Sequence, residues 1–153
     1  MKARAWLSLL IVAIGAALGA LREFIFVNLN FHLDYLLNQR DRNYAHSVFR
    51  KWAGALDADQ ASALKWALAL LFVATMALLT ALLCRVRFGD HRYRKAVIVA
   101  FAGLGACALL CHLLGAWLPH ARPVSVAMLH ALQYPVPLLL VWAMSLLQPA
   151  GER

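Results

Sequence analysis

The apolar run Ala5–Leu21, AWLSLLIVAIGAALGAL, leads directly into the polar-rich stretch Arg22–Asp34, REFIFVNLNFHLD. A helix that crosses a membrane needs about 20 residues of mostly apolar sequence. Residues 5–25 meet this requirement and carry Arg22 and Glu23 near one end. We therefore predict that residues 5–25 form the first membrane-spanning helix.

The same run also fits a secretory signal peptide. It follows Lys2 and Arg4, and it contains small residues around Ala17 and Gly19 that resemble a cleavage site. The apolar character resumes after Glu23, which favours a membrane helix. The signal-peptide alternative stays open at this point.

Residues 26–37 carry two competing patterns. Apolar side chains alternate with Asn28, Asn30, His32 and Asp34, which is typical of a β-strand. At the helical repeat, Asn30 and Asp34 instead share a face with Glu23. A lone strand at a membrane surface would leave its backbone groups unpaired, so we predict that the first helix continues through this stretch.

The composition indicates an integral membrane protein. Of the 153 residues, 63% are hydrophobic and 14% are charged, whereas soluble domains are about half apolar and a quarter charged. Three further apolar runs predict spans at residues 64–84, 96–117 and 125–147. The predicted fold is an all-α, four-helix membrane bundle that forms a single domain over residues 1–153.

The longest polar segment, residues 26–63, separates the first two predicted spans. Within it, Tyr44–Trp52 has the pattern of a short amphipathic helix at a membrane interface, and Gly54 would end that helix. Asp57 and Gln60 have the spacing of a capping box, so Asp57 is predicted to cap a helix rather than to act in catalysis.

Charge predicts the orientation. Five basic residues lie in the loop at residues 85–95, against a single arginine in the turn at 118–124. Because basic loops stay in the cytoplasm, we expect both termini there, residues 26–63 outside, and a bacterial-type inner membrane as the location. The net charge of +8 does not indicate nucleic-acid binding, since no basic stripe alternates with aromatic residues outside the spans.

Two histidines point to a candidate site. His112 and His130 each lie six residues from the outer end of a predicted span, about 9 Å below the boundary. A tight turn between these spans could bring the two together, and Arg22 and Glu23 approach the same level. The candidate catalytic residues are Glu23, His112 and His130, and the candidate binding residues are Arg22, Asn30 and Gln133.

Each candidate also has a purely structural interpretation. The two histidines can simply hydrogen-bond between helices, and Arg22 with Glu23 can anchor the helix at the interface. Pro135 and Pro137 predict a kink in the fourth span. Cys107 and Cys111 share a helical face but give only a weak metal signal, and the three cysteines form no disulfide framework.

Three functions follow, in order of preference. The sequence has no H-E-x-x-H, G-x-S-x-G or phosphate-binding glycine motif, which favours a non-enzymatic accessory, assembly or transporter-like subunit in the lipid bilayer. Gly15 and Gly19 would let another membrane protein, or a second copy, approach closely. The alternatives are an enzyme acting on a lipid or isoprenoid at the outer leaflet, and a metal- or haem-binding protein that uses His112 and His130. The cofactor is left open.

Overall fold

In the computed structural model, residues 2–38, 47–89 and 91–147 are described, and within them all regular secondary structure is helical. The first residues of the predicted interfacial helix, residues 44–46, lie outside these ranges. The six helices are α1 (Lys2–Asn38), α2 (Ser47–Ala53), α3 (Ala58–Phe88), α4 (His91–Leu114), α5 (Ala121–Gln133) and α6 (Val136–Leu147).

Helix α1 is continuous over 37 residues, which corresponds to about 55 Å. The helical interpretation of residues 26–37 is therefore confirmed, and the alternating pattern does not produce a strand. The polar groups in this stretch are satisfied without one. The Asn28 side chain, for example, donates a 2.7 Å hydrogen bond to the Phe24 carbonyl one turn earlier.

The described residues contain three helices that are long and apolar enough to cross a membrane, within α1, α3 and α4, and a fourth if the α5–α6 pair is one broken span. Three of the predicted spans thus fall in these helices, although α4 ends three residues before the predicted boundary at 117. Most of the described residues are helical, and three or four helical segments are long and apolar enough to span a membrane.

The break between α5 and α6 confirms the predicted kink. The two helices are bent by 55° relative to each other. Pro135 has no amide hydrogen and cannot bond to the Ala131 carbonyl, so α5 ends just before it. Pro137 is the second residue of α6, a position where the missing hydrogen costs nothing because first-turn amides have no partner within the helix.

The chain divides into two compact units, and α1 and α3 contribute residues to both. Unit 1 consists of Met1–Gly19 and Val73–Arg153, and unit 2 is Ala20–Phe72. In unit 1, Ile11 packs with Leu83, while Leu18 packs near Met76. This register shows that α1 and α3 run antiparallel there.

The small residues of α1 are covered within unit 1. A β-carbon on Gly15 would collide with the Leu138 side chain, and one on Gly19 would lie 2.9 Å from the Pro135 ring. Gly15 and Gly19, which we considered as a contact face for another protein, therefore pack against α6 and against Pro135 just before it.

Unit 2 is a helical hairpin closed by α2. Phe49 is 3% exposed and packs against Leu29 and Ala61, whereas Trp52 is 60% exposed. The apolar side chains predicted to share one face of the interfacial helix thus have different surroundings. Phe49 belongs to the core of unit 2, whereas Trp52 is exposed. Helix α2 ends at Ala53, directly before Gly54, as predicted.

The start of α3 has the predicted capping box. The Gln60 amide donates to the Asp57 carboxylate over 2.8 Å, and the Asp57 amide donates to the Gln60 side-chain oxygen over 3.3 Å. These reciprocal bonds satisfy two amides that the first helical turn cannot.

Candidate functional site

Arg22 is the most deeply buried cation among the described residues. Its side chain is 3% exposed, and one of its terminal nitrogens, Nη1, forms a 3.0 Å ion pair with Oε2 of Glu23. Its guanidinium carbon lies 4.6 Å from the centroid of the Phe26 ring. Arg22 and Phe26 are four residues apart on α1 and so share a face, and the contact is a cation–π interaction.

The packing of unit 2 sets the depth of Arg22. Phe26 packs with Ala69 and Phe72, which lie four and seven residues after Lys65 on the antiparallel α3. Arg22 lies one helical turn before Phe26 on α1, on the side away from Lys65. Its backbone is therefore roughly 15 Å from that of Lys65 along the helix axes. The arginine therefore lies within the paired part of α1 and α3, with Phe26 against its guanidinium, rather than at the end of a helix.

Lys65 adds a second cation. Its side chain is half-buried, and it is close enough to Arg22 for Coulomb repulsion to act between the two.

Glu23 is the exposed member of this group, with 52% of its side chain accessible. Consecutive residues on a helix point about 100° apart, so Glu23 does not enter the buried face with Arg22. It meets the guanidinium from the exposed side. An ion pair of this kind stabilises little, about 0–1 kcal/mol.

The other candidates lie in unit 1. His112 is exposed on α4, and His130 is exposed on α5, where its ring stands edge-on to Tyr134 at 6.2 Å. Gln133 is 2% exposed at the end of α5. Asn30 is exposed on α1, in unit 2. The expected approach of Arg22 and Glu23 to His112 and His130 stays a prediction.

The register between α4 and α5 places the two histidines at different depths. The Ser125 hydroxyl donates to the Ala108 carbonyl over 2.8 Å, and Ser125 and Ala108 therefore lie at the same level. His112 is four residues nearer the turn than Ala108, and His130 is five residues farther from it than Ser125. The histidines are thus separated by more than about 10 Å along the helices, and the expected approach of the two side chains gains no support from this register.

The reason is the position of the turn. The expected depths were counted from Leu118 and Val124, but α4 ends at Leu114 and α5 starts at Ala121. A β-carbon on Gly115 would touch the Arg122 side chain, so the helices already meet there. The chain therefore turns closer to His112 than to His130.

No third ligand joins the weak metal candidates within the described residues, where no group of three or more His, Cys, Asp or Glu side chains could hold a metal ion. Cys107 is exposed and Cys111 is half-buried, and both are free thiols. The histidine-based metal or haem hypothesis gains no support from this arrangement.

Two residues of unit 2 have roles that the sequence did not indicate. His32 is 2% exposed, and its Nε2 donates to the Leu56 carbonyl over 3.1 Å. Lys65 is close enough to Arg22 for Coulomb repulsion to act between the two. Both relationships depend on how α1 pairs with distant residues, and local sequence patterns contain no such information.

Comparison of the chain with models of protein families, with curated proteins and with solved structures finds no match. The function is therefore argued from the chemistry of the residues themselves. The buried cations of unit 2 are the group whose geometry constrains that chemistry most.

Proposed function

We propose that the protein is a non-enzymatic, transporter-like membrane protein that binds an anionic ligand at Arg22. The observation that supports this proposal is the burial of the Arg22 guanidinium, whose side chain is 3% exposed. A charge held in apolar surroundings is costly unless it is paired, and such residues commonly mark ligand sites. Guanidinium groups bind carboxylates and phosphates with two parallel hydrogen bonds.

The proposed placement in the membrane makes this site accessible to a lipid-soluble anion. We propose four spans in a bundle in a bacterial-type inner membrane, with both termini and the loop at 85–95 in the cytoplasm and residues 26–63 outside. The asymmetry of basic residues between the short loops supports this orientation. Lys65 then lies nearer the outer surface than Arg22, and an anion that enters from the outer leaflet meets two cations in succession.

Binding has more support than catalysis. In a lipid-directed enzyme, Glu23 would act as an acid or base, yet its carboxylate is paired with Arg22. His112 and His130 would have to act together, but the α4–α5 register separates them along the helix axes. The buried guanidinium of Arg22 therefore supports binding, and the register within unit 1 does not support joint acid–base action by His112 and His130.

The test is retention of anionic lipid by the purified protein. Wild-type protein extracted in mild detergent should carry anionic lipid that native mass spectrometry detects, and Arg22→Gln should reduce the bound fraction by roughly tenfold or more, because charged hydrogen bonds contribute about 1.5–3 kcal/mol. Lys51→Gln is the matched control, since it removes one positive charge from an exposed position of unit 2. Circular dichroism checks that each variant folds.

Equal retention by wild type and Arg22→Gln, with both proteins folded, contradicts the proposal. Loss of lipid in Lys51→Gln to the same extent also contradicts it, because binding would then depend on overall charge rather than on the buried arginine. Arg22→Lys should retain part of the lipid, since an ammonium keeps the charge but cannot form the two parallel bonds.

A further inference from the structure

Unit 1 carries nearly all of the net positive charge of the chain. It contains nine of the 15 lysines and arginines but only two of the seven acidic residues. Those two, Asp90 and Glu152, lie outside the described residues. Among the described residues of unit 1, no side chain therefore offers a carboxylate to the cations.

The cations of unit 1 whose side chains are described gather at one end, with Arg122 as the exception. Five of them lie there: Arg4 on α1, Arg85 and Arg87 on α3, and Arg94 and Lys95 on α4. Arg4 reaches this end because α1 runs antiparallel to α3 in unit 1, with Ile11 packed near Leu83. We call these five residues the basic end.

The turn between α3 and α4 holds the charges of the basic end close together. Gly89 has a φ of 68°, and its amide donates to the Arg85 carbonyl over 3.1 Å, so α3 stops at a left-handed glycine. The rings of Phe88 and Tyr93 pack with their centroids 4.7 Å apart, which joins the end of α3 to the start of α4. Packed helices are about 8–10 Å apart, and the Debye length in physiological salt is about 8 Å. The cations therefore repel one another.

The protein leaves the basic end open and its charge uncompensated. Arg4, Arg85 and Lys95 are exposed, and Arg87 and Arg94 are half-buried. The Nε atom of Arg87 is covered, yet it has no hydrogen-bond partner among the described residues. Folding thus gathers like charges from three helices without neutralising them, which destabilises the compact state unless anions approach from outside.

Aromatic side chains indicate what surrounds the basic end. Trp6, two residues after Arg4, is 72% exposed, and Tyr93, next to Arg94, is 47% exposed. Exposed tryptophan and tyrosine side chains at the end of a membrane helix lie at the level of the lipid headgroups. Anionic headgroups at that level attract nearby lysines and arginines, and the exposed cations need no pocket to receive them.

We propose that anionic phospholipid is the partner of the basic end, and that its headgroups stabilise unit 1 by compensating the charges that folding brings together. This inference goes beyond ligand binding at Arg22 and does not depend on it. It predicts that the stability of unit 1 increases with the anionic fraction of the membrane.

The experiment compares thermal unfolding of the full chain in two nanodiscs with identical acyl chains, one of neutral phosphatidylcholine and one that also contains phosphatidylglycerol. Cys84, 1% exposed in unit 1, reports the opening of this unit by reacting with a thiol-specific dye in a background of Cys107→Ala and Cys111→Ala. Phosphatidylglycerol should raise the midpoint by about 2–4 °C for each cation that it compensates. Equal midpoints in the two nanodiscs would overturn the proposal.

Arg85→Gln should act in opposite directions in the two nanodiscs. It should raise the midpoint in neutral lipid, because repulsion within the basic end falls, and it should reduce the gain from phosphatidylglycerol. Arg122→Gln is the matched control, since it removes an exposed cation that lies apart from the basic end. It should leave the gain unchanged, because an isolated cation has no neighbouring charge whose repulsion the lipid relieves. A lower midpoint for Arg85→Gln in neutral lipid, or equal loss of the gain in both variants, contradicts the proposed role.

Two further outcomes separate this proposal from others. Soluble polyglutamate, added to neutral nanodiscs at the same total charge, should raise the midpoint less than phosphatidylglycerol does, and an equal increase would show that the basic end accepts an acidic polypeptide rather than lipid. If Arg22→Gln abolished the gain and Arg85→Gln did not, the stabilisation would belong to the Arg22 site. That result would overturn the role of the basic end and leave the proposed function standing.

Discussion

Gly19 of α1 faces the ring of Pro135 so closely that a β-carbon on the glycine would lie 2.9 Å from the proline Cδ. Pro135 lies in the break where α5 and α6 bend by 55°. Real β-carbons do not approach other atoms this closely, and the ring is too rigid to turn aside. The glycine therefore allows α1 to pack directly against the broken part of the fourth apolar segment.

Gly19→Ala should destabilise unit 1 by about 1–3 kcal/mol, the usual cost of overpacking. Gly15→Ala should also destabilise unit 1, because the added methyl group would collide with the Leu138 side chain, which is fully buried beside Ile11 and Leu83. Thermal unfolding in detergent, followed by circular dichroism, measures both effects.

Gly103→Ala is the control for this pair of variants. No atom lies within 4 Å of a β-carbon at Gly103, so alanine should stabilise α4 by up to about 1 kcal/mol through its higher helix propensity. If Gly19→Ala raised stability as much as Gly103→Ala, the close packing against Pro135 would be incorrect.

Local sequence patterns predicted much of this fold. The lengths of the apolar runs predicted the helices that could span a membrane, and Pro135 predicted the break between α5 and α6. Asp57 and Gln60 predicted the start of α3. Each of these features depends on residues within one or two helical turns. The helical repeat also predicted the continuation of α1, where the alternating polar residues suggested a strand.

The candidate site was predicted only in part, because it depends on register between helices. Arg22 and Glu23 are adjacent in sequence and form an ion pair, but their roles as site residues stay predictions. The nearness of Lys65 to Arg22 follows from the pairing of α1 with α3. The depths of His112 and His130 follow from the contact between Ser125 and Ala108. Neither pairing can be derived from hydrophobic periodicity alone.

Asp57→Ala should destabilise unit 2 by about 1 kcal/mol, with a range of roughly 0.5–2 kcal/mol, because the Gln60 amide loses its acceptor at the start of α3. Asp57→Asn should retain most of the stability, since the amide oxygen of asparagine is also a good cap. Hydrogen exchange at residues 58–61 measures the local effect. Equal protection in Asp57→Ala and Asp57→Asn would contradict the capping role.

His32→Leu should destabilise unit 2 by about 1–3 kcal/mol, because the Leu56 carbonyl would lose the donor that it has in the wild type. His32→Gln can still donate from its side-chain amide and should cost less. Limited proteolysis between α2 and α3 provides the readout, since this bond ties α1 to the segment before α3. Unchanged protease resistance in His32→Leu would show that the bond does not hold that segment.

Ser125→Ala should weaken the packing of α5 on α4. The Ser125 hydroxyl donates to the Ala108 carbonyl of another helix, and hydrogen bonds between membrane helices contribute about 0.6 kcal/mol on average and up to about 1.7 kcal/mol. Ser145→Ala is the matched control, because the Ser145 hydroxyl donates to the Trp142 carbonyl of its own helix. Such a local bond adds little to tertiary packing. Unfolding in detergent should therefore show a larger loss of stability for Ser125→Ala than for Ser145→Ala, and equal losses would contradict the register that separates His112 from His130.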